Sequence, residues 1–269
     1  MESILKEKFE RLKKNIKKMG AFILAYSGGA DSAFLLKVGH DVLGRNILAV
    51  TAQSETYPAR ELKEAVKLAK AIEARHMVIK TKELNNKNFK SNPPDRCYFC
   101  KLELFAKLAD IAGKENIKWI CDGTNRDDLK DVRPGRQAAK EFGVRSPLLE
   151  AGLTKEDIRR LSRELGLPTW NKPSMACLSS RIPYGEEITK ENLVKIEKAE
   201  KFISILGFKS FRVRVHGNLA RIELEALAIE RLNRKNIREK IINKFKSLGF
   251  VYVTLDLQGY RTGSMNEEL

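Results

Sequence analysis

Long uncharged apolar runs are missing from this sequence. The longest candidate, residues 21–26, is far short of the roughly 20 residues that span a bilayer. The N-terminal stretch is charged almost throughout (Lys6, Lys8, Arg11, Lys13, Lys14, Lys17, Lys18) and holds no apolar core of a secretory signal. These absences predict a cytoplasmic protein with no membrane partner. Cysteine is scarce, at four residues: Cys97, Cys100, Cys121 and Cys177. Reducing conditions disfavour disulfides, so a Cys-x-x-Cys pair with a distant third cysteine points to metal, cluster or redox chemistry. The Walker-type loop (G-x-x-x-x-G-K followed by Ser or Thr) and the dinucleotide fingerprint G-x-G-x-x-G are both absent. Neither an internal repeat nor a low-complexity tract occurs.

Apolar residues make up 42% and charged residues 32%, which supports a normal core and argues against disorder. The 269 residues suffice for two domains of roughly 100–170 each. The net charge is +16. Such a surplus suits RNA, a nucleotide or a phosphorylated ligand. It equally suits a Lys-rich solvated surface of a heat-adapted protein. No dense basic run decides between these.

Ile4, Leu5, Phe9, Leu12, Ile16 and Met19 recur at helical spacing over residues 2–19. A short apolar strand at 21–26, a helix at 32–43, a strand at 47–52, a helix at 59–73 and a strand at 76–80 follow. Apolar rather than alternating strands in this rhythm predict a parallel sheet with helices on both faces, joined by right-handed crossovers. Residues 82–96 are polar and turn-rich and read as a mobile loop, ordered when ligand binds. A helix at about 100–113 and a fourth strand at 118–121 come next, then helices near 135–142 and 154–165. Residues 1–170 thus form an α/β domain. Residues 171–187, rich in Pro and carrying Cys177 and Arg181, read as a linker. Residues 188–269 read as a small α+β domain: helix 189–206, strands 208–215 and 219–225 around a Gly217-Asn218 hairpin turn, helix 233–248 and strand 250–257.

Ser27-Gly28-Gly29-Ala30-Asp31-Ser32 lies where a strand ends and a helix starts, a natural anion site lined by backbone N–H groups. Gly28 and Gly29 permit close phosphate approach. Ser27 and Ser32 can donate hydroxyl hydrogen bonds, and Asp31 can hold Mg²⁺. The loop resembles the PP-loop of the ATP pyrophosphatases, which implies a fold like the adenine nucleotide alpha hydrolases and cleavage of ATP next to its α-phosphorus. Asp122-Gly123-Thr124-Asn125 ends strand four and should face the same crevice. Asp127, Asp128 and Asp131 either assist Mg²⁺ or form a solvated loop. Cys97, Cys100 and Cys177 suit a [4Fe–4S] cluster with one iron open. They equally suit a redox pair with an independent third thiol that attacks an adenylate or carries a persulfide. Arg96, Lys101 and Arg181 flank them and favour thiolates. Cys121 ends a buried strand and reads as structural.

In combination these motifs resemble the LarE family of sulfur transferases, which help build the nickel-pincer nucleotide cofactor of lactate racemase. The resemblance covers nearly the whole chain. It rests on Ser27 to Ser32, Asp95-Arg96-Cys97-Tyr98-Phe99-Cys100-Lys101, Asp122 to Asn125, Pro173 to Arg181, Arg212-Val213-Arg214-Val215-His216-Gly217 and Ala220-Arg221-Ile222-Glu223. It implies that Ser27, Gly28, Gly29, Asp31, Ser32, Asp122 and Gly123 bind ATP. A carboxylate of a pyridinium mononucleotide is then adenylated and converted to a thiocarboxylate. It also implies that Ser180, Arg181, Arg212 and Arg214 hold the substrate phosphate, with Glu223 a weaker candidate. Arginine forks match phosphate geometry, and Arg212 and Arg214 alternate onto one strand face. One branch of the family uses the cysteine matching Cys177 as a sacrificial sulfur donor. The presence of Cys97 and Cys100 instead resembles the three-cysteine branch, whose [4Fe–4S] cluster delivers sulfide from an external source. The family further implies a homo-oligomer, a hexamer being the candidate form, built through the C-terminal domain. A competing expectation is a [4Fe–4S]-dependent tRNA thiolase of the 2-thiouridine or 2-thiocytidine type, which the charge suits; the absence of an added RNA-binding module or zinc-finger cysteines opposes it.

Overall fold

Apolar periodicity separates the chain into elements close to those expected. The computed structural model describes residues 2–130, 134–173, 176–261, 264 and 267. In chain order they are α1 (Glu2–Met19), β1 (Phe22–Ala25), α2 (Ala30–Leu43), β2 (Ile47–Gln53), α3 (Ala59–Ala71), β3 (Arg75–Lys80), α4 (Lys87–Lys90), α5 (Arg96–Glu115), β4 (Trp119–Cys121), α6 (Gly135–Glu141), α7 (Pro147–Glu150), α8 (Lys155–Glu164), α9 (Lys190–Ile205), β5 (Phe211–His216), β6 (Leu219–Leu224), α10 (Ala226–Asn233), α11 (Lys235–Ser247) and β7 (Tyr252–Leu255). Two compact units result, residues 1–83 with 97–175 and residues 84–96 with 176–269. Among the described residues, no helix is long and apolar enough to cross a membrane.

The first unit is built on a parallel sheet of order β3-β2-β1-β4. Successive side chains of a strand point to opposite faces. Phe22 and Leu24 of β1 therefore join Ala49 of β2 in the core beneath α1, α2 and α8, whereas Ile23, Leu48 and Val50 face Leu104, Phe105 and Leu108 of α5. Both faces are covered there, which is why β1 and the first four residues of β2 are apolar at consecutive positions. From β1 the chain winds outward through β2 to β3, then returns to place β4 on the other side of β1. That reversal is the switch point at which open α/β sheets bind ligands, beyond the strands' carboxyl ends. The glycine loop leaves β1 at this point.

In the second unit, β5 and β6 pair as an antiparallel hairpin around Gly217-Asn218, with Gly217 at φ +55. Strand β7 lies parallel to β6, so the chain must cross over, and α10 and α11 provide the crossing. Leu193, Ile196, Ala199 and Ile203 form the buried stripe of α9, which packs on β5. The helix expected over 233–248 is α11, and a helix that was not expected, α10, precedes it; Arg234, with extended backbone (ψ 128), separates the two.

Residues 82–96, expected as a mobile loop, are folded. Asn92 is fully buried, its side-chain amide nitrogen donates to the carbonyls of Ile182 (3.2 Å) and Pro183 (2.6 Å), and its backbone carbonyl accepts from Gly185 N. A side-chain amide substitutes here for the missing ladder partners of a Pro-rich segment. Helix α5 begins at Arg96 rather than near residue 100, so Cys97 and Cys100 belong to its first turns.

Candidate active site at the glycine loop

Two hydroxyls staple the loop. Ser27 N donates to Ser32 Oγ (3.3 Å), the two Oγ atoms lie 3.1 Å apart, and Ser32 Oγ also lies 3.2 Å from Gly29 O. Helix α2 then starts at Ala30 with no side-chain cap at Gly29, so its first N–H groups have no intrahelical acceptor and its positive end faces the pocket. Gly28 has φ +65, and a Cβ there would lie 2.6 Å from Ala65 Cβ of α3. Only glycine admits both the left-handed turn and that approach. A Cβ on Gly123 would lie 3.0 Å from Ser32 N. The second glycine motif is thus seated against the first, as its position after β4 predicts.

Asp122 organises its own turn. Thr124 N and Oγ1 donate to it (3.1 and 2.8 Å), and Ser146 Oγ donates at 2.7 Å. Asp127 and Asp128 also serve the loop: Asn125 N donates to Asp128 and Lys155 N to Asp127 Oδ2 (2.8 Å). Asp131 lies outside the described residues.

A cavity of about 130 Å³ opens beside the loop, lined by Ser27, Gly29, Ala30, Asp31, Tyr57, Glu61, Lys155, Lys172 and Pro173. Four of these were not singled out from the sequence. Tyr57 donates its hydroxyl to Ser27 O at 2.7 Å. Burial, and then the carboxylates of Glu61 and Glu64, push its pKa up, so it stays a donor. Lys155 Nζ lies 2.5 Å from Asp31 Oδ2. Lys172 Nζ contacts Glu61 (2.7 Å), Glu64 (3.0 Å) and Gly28 O (3.4 Å). Burial opposes the charge of Lys172, but its two carboxylates outweigh burial and raise its pKa. One sequence signal was available: Lys155 follows Thr154, a helix N-cap, and a cation at a helix N-terminus is locally unfavourable. The arrangement offers an anion backbone N–H groups and hydroxyls, while both ammonium groups beside the loop are paired with carboxylates.

Cys97 and Cys100 stand three residues apart on α5, so their side chains leave one helix face. Cys97 is exposed and Cys100 half-buried. The buried carboxylate of Glu83 accepts from Ser54 Oγ (2.8 Å), Thr56 Oγ1 (3.1 Å) and the Cys100 thiol (3.8 Å). Cys121 is fully buried, its thiol pKa pushed up by desolvation, and it lies 3.8 Å from the Met19 sulfur. Within either unit, no three described His, Cys, Asp or Glu side chains gather closely enough to hold a metal ion.

Cys177 lies in the second unit with the arginines. Arg181 is fully buried: Nε and Nη2 engage Glu200, and Nη1 donates to the carbonyls of Ala176 (2.8 Å) and Cys177 (2.9 Å) and to Ser180 Oγ. Arg214 makes a bidentate pair with Glu223 (both 2.9 Å) and donates to Ser180 O (2.6 Å) and Ser264 Oγ. Arg212 stacks on the Tyr260 ring at 5.0 Å. Burial, then the neighbouring charge of Arg181 and more weakly that of Arg214, pull its pKa below the usual value. Four guanidinium groups, Arg181, Arg212, Arg214 and Arg221, gather about Glu200 and Glu223, with Arg221 turned also to Asp256, and the local surplus of positive charge suits a phosphate.

No family model matches the chain. It is 44% identical over 266 residues to an uncharacterised protein of Synechocystis sp., spanning 99% of both chains. It is 40% identical over 255 residues to the pyridinium-3,5-bisthiocarboxylic acid mononucleotide synthase of Lactiplantibacillus plantarum, covering 94% of this chain and 92% of that one. It is also 27% identical over 225 residues to one component of the glutamine-hydrolysing GMP synthase of Archaeoglobus fulgidus, covering 76% of this chain and 69% of that one.

Proposed function

Because the chain belongs to the LarE family of PP-loop enzymes, that of the pyridinium-3,5-bisthiocarboxylic acid mononucleotide synthase, we propose that it is an ATP-dependent sulfur transferase acting on a pyridinium mononucleotide. A carboxylate oxygen of the substrate attacks the α-phosphorus of ATP and pyrophosphate leaves. A sulfur nucleophile then attacks the acyl carbon of the adenylate and AMP leaves, so that one oxygen is exchanged for sulfur. Ser27, Gly28, Gly29 and Ser32 cradle the pyrophosphate part, Asp31 takes Mg²⁺, and Asp122 and Gly123 shape the opposite wall. This reading is carried by one observation: the stapled glycine loop lies at the β1 switch point with Gly123 seated on Ser32. Ser180, Arg181, Arg212 and Arg214 hold the substrate phosphate in this reading, and the protein contacts each arginine already makes orient its guanidinium.

An iron–sulfur cluster is the sulfur carrier in this reading, supported by the chemistry of three soft thiol ligands, two of them on one helix face. Cys97, Cys100 and Cys177 would hold a [4Fe–4S] cluster, which supplies an open iron for sulfide. In the alternative route Cys177 gives up its own sulfur. A further reading, tRNA thiolation, is favoured only by the charge of +16. The protein is a homo-oligomer of the cytoplasm in this proposal, with a hexamer as the candidate form.

The test is an anaerobic reconstitution with iron and sulfide, followed by ATP, Mg²⁺ and either the carboxylated pyridinium mononucleotide or unmodified tRNA. We expect AMP release and replacement of oxygen by sulfur in the small nucleotide, read by mass spectrometry. Thiolation of tRNA with the small nucleotide untouched would sink the proposal. Loss of the elements of H₂S from Cys177 after turnover would establish the sacrificial route instead.

A further inference from the structure

Lys155 is placed against local preference. It is the first residue of α8, where the helix dipole is positive and where Glu156 and Asp157 supply the favoured sign. Its backbone does not need the side chain. The N–H is held by Asp127 Oδ2, and the capping box of Thr154 and Asp157 closes the helix end without it. What the side chain does is cross from α8 to Asp31, the acidic residue of the glycine loop, at 2.5 Å.

Charge around the cavity shows why this matters. Two ammonium groups, Lys155 and Lys172, are matched by three carboxylates, Asp31, Glu61 and Glu64. These groups hold no surplus positive charge for a triphosphate. Lys172 is fastened by two carboxylates and the Gly28 carbonyl, whereas Lys155 is held by one carboxylate. Of the two, Lys155 is the cheaper to release. Asp31 is also the group that a divalent cation brought in with ATP would use, since a carboxylate at the mouth of the loop is a hard oxygen ligand. A divalent cation on Asp31 would repel the ammonium that lies on its Oδ2 and weaken that pair.

We propose, resting on the ATP-dependent reading above, that Lys155 is a resident counter-ion of Asp31 which moves its ammonium to a phosphate oxygen of ATP when Asp31 turns to the divalent cation. In the nucleotide-free protein it keeps Asp31 from collecting stray metal. In the loaded protein it becomes a nucleotide-binding residue. The exchange makes nucleotide and cation bind as a pair.

The experiment uses the full-length protein, Mn²⁺ as the metal probe by electron paramagnetic resonance, and the non-cleavable α,β-methylene analogue of ATP with Mg²⁺. The variants are Lys155→Gln, Lys155→Arg and Asp31→Asn. In Lys155→Gln we expect Mn²⁺ to bind the nucleotide-free protein more tightly than wild type. The same variant should bind the nucleotide analogue about 10- to 100-fold more weakly, the loss of one charge-assisted hydrogen bond. Lys155→Arg keeps the charge and should restore most of the nucleotide affinity. Asp31→Asn should lose the Mn²⁺ site. Opposite movement of the two affinities is a readout that a purely structural lysine would not give, since misfolding weakens both. Unchanged or weaker Mn²⁺ binding in Lys155→Gln overturns the counter-ion role, whatever the nucleotide does. If wild-type protein binds no nucleotide with Mg²⁺, the ATP-dependent reading itself falls and this inference falls with it.

Discussion

Arg181 has no exposed surface, and every arm of its guanidinium is in use. Removing one partner of a buried ion pair leaves the other charge stranded, at a cost of about 3–5 kcal/mol. We expect Arg181→Met to lose about that much stability in urea unfolding, and to lose it even in the absence of any substrate. A surface phosphate ligand would change affinity and leave stability alone. Gly28 raises the opposite case. Gly28→Ala should cost on the order of 1–3 kcal/mol from its positive φ alone, and the contact with Ala65 at 2.6 Å adds displacement of α3. A rise in ATP dissociation constant larger than the loss of stability would place the damage in the loop.

At the scale of elements, α8 ties the site to the rest of its unit. Asp157 accepts from Thr154 N (3.0 Å) within the capping box and from Lys8 of α1 (2.7 Å). Burial works against its charge, but the hydrogen bonds from Lys8 and Thr154 outweigh burial and lower its pKa. A carboxyl with a lowered folded value stabilises above its unfolded pKa of about 4 and loses that contribution as pH falls through the lowered value. Asp157→Asn should therefore flatten the acid limb of a stability–pH curve and leave its slope above pH ~6 unchanged. The same element shows what was legible in advance. The parallel sheet, the glycine loop and the Asp122 motif could be read because apolar runs and glycine spacing are local signals. Tyr57, Glu61 and Lys172 could not, since ordinary helix and loop residues become a cavity wall only when α3 and the segment after α8 meet the β1 end. Helix α10 escaped notice because it buries only Leu232 and leaves Leu227 95% exposed, so its periodicity is weak. The arginines were legible as residues but not as a network: nothing in their spacing says that Glu200 would occupy Arg181.

At the scale of the whole molecule, the cysteines are divided between the two units, with Cys97 and Cys100 in one and Cys177 in the other. If the three hold one cluster, replacing any of them should abolish it. We expect Cys97→Ser and Cys100→Ser to bind no more than residual iron after anaerobic reconstitution, by chemical iron assay, while Cys121→Ser retains its full complement. Iron retention in Cys97→Ser would argue for the sacrificial route. The clasp on the Cys177 loop bears on that choice in another way. Ser180 N, Ser180 Oγ and Arg181 Nη1 all hold the carbonyl oxygen of Cys177, at 2.9–3.0 Å. A grip on the backbone is blind to what the side chain carries. Cys177→Ala should unfold within about 0.5 kcal/mol of wild type. A molecule that had surrendered its sulfur would still present the carbonyl that these three donors hold, so the loop stays clasped whether the enzyme is fresh or spent.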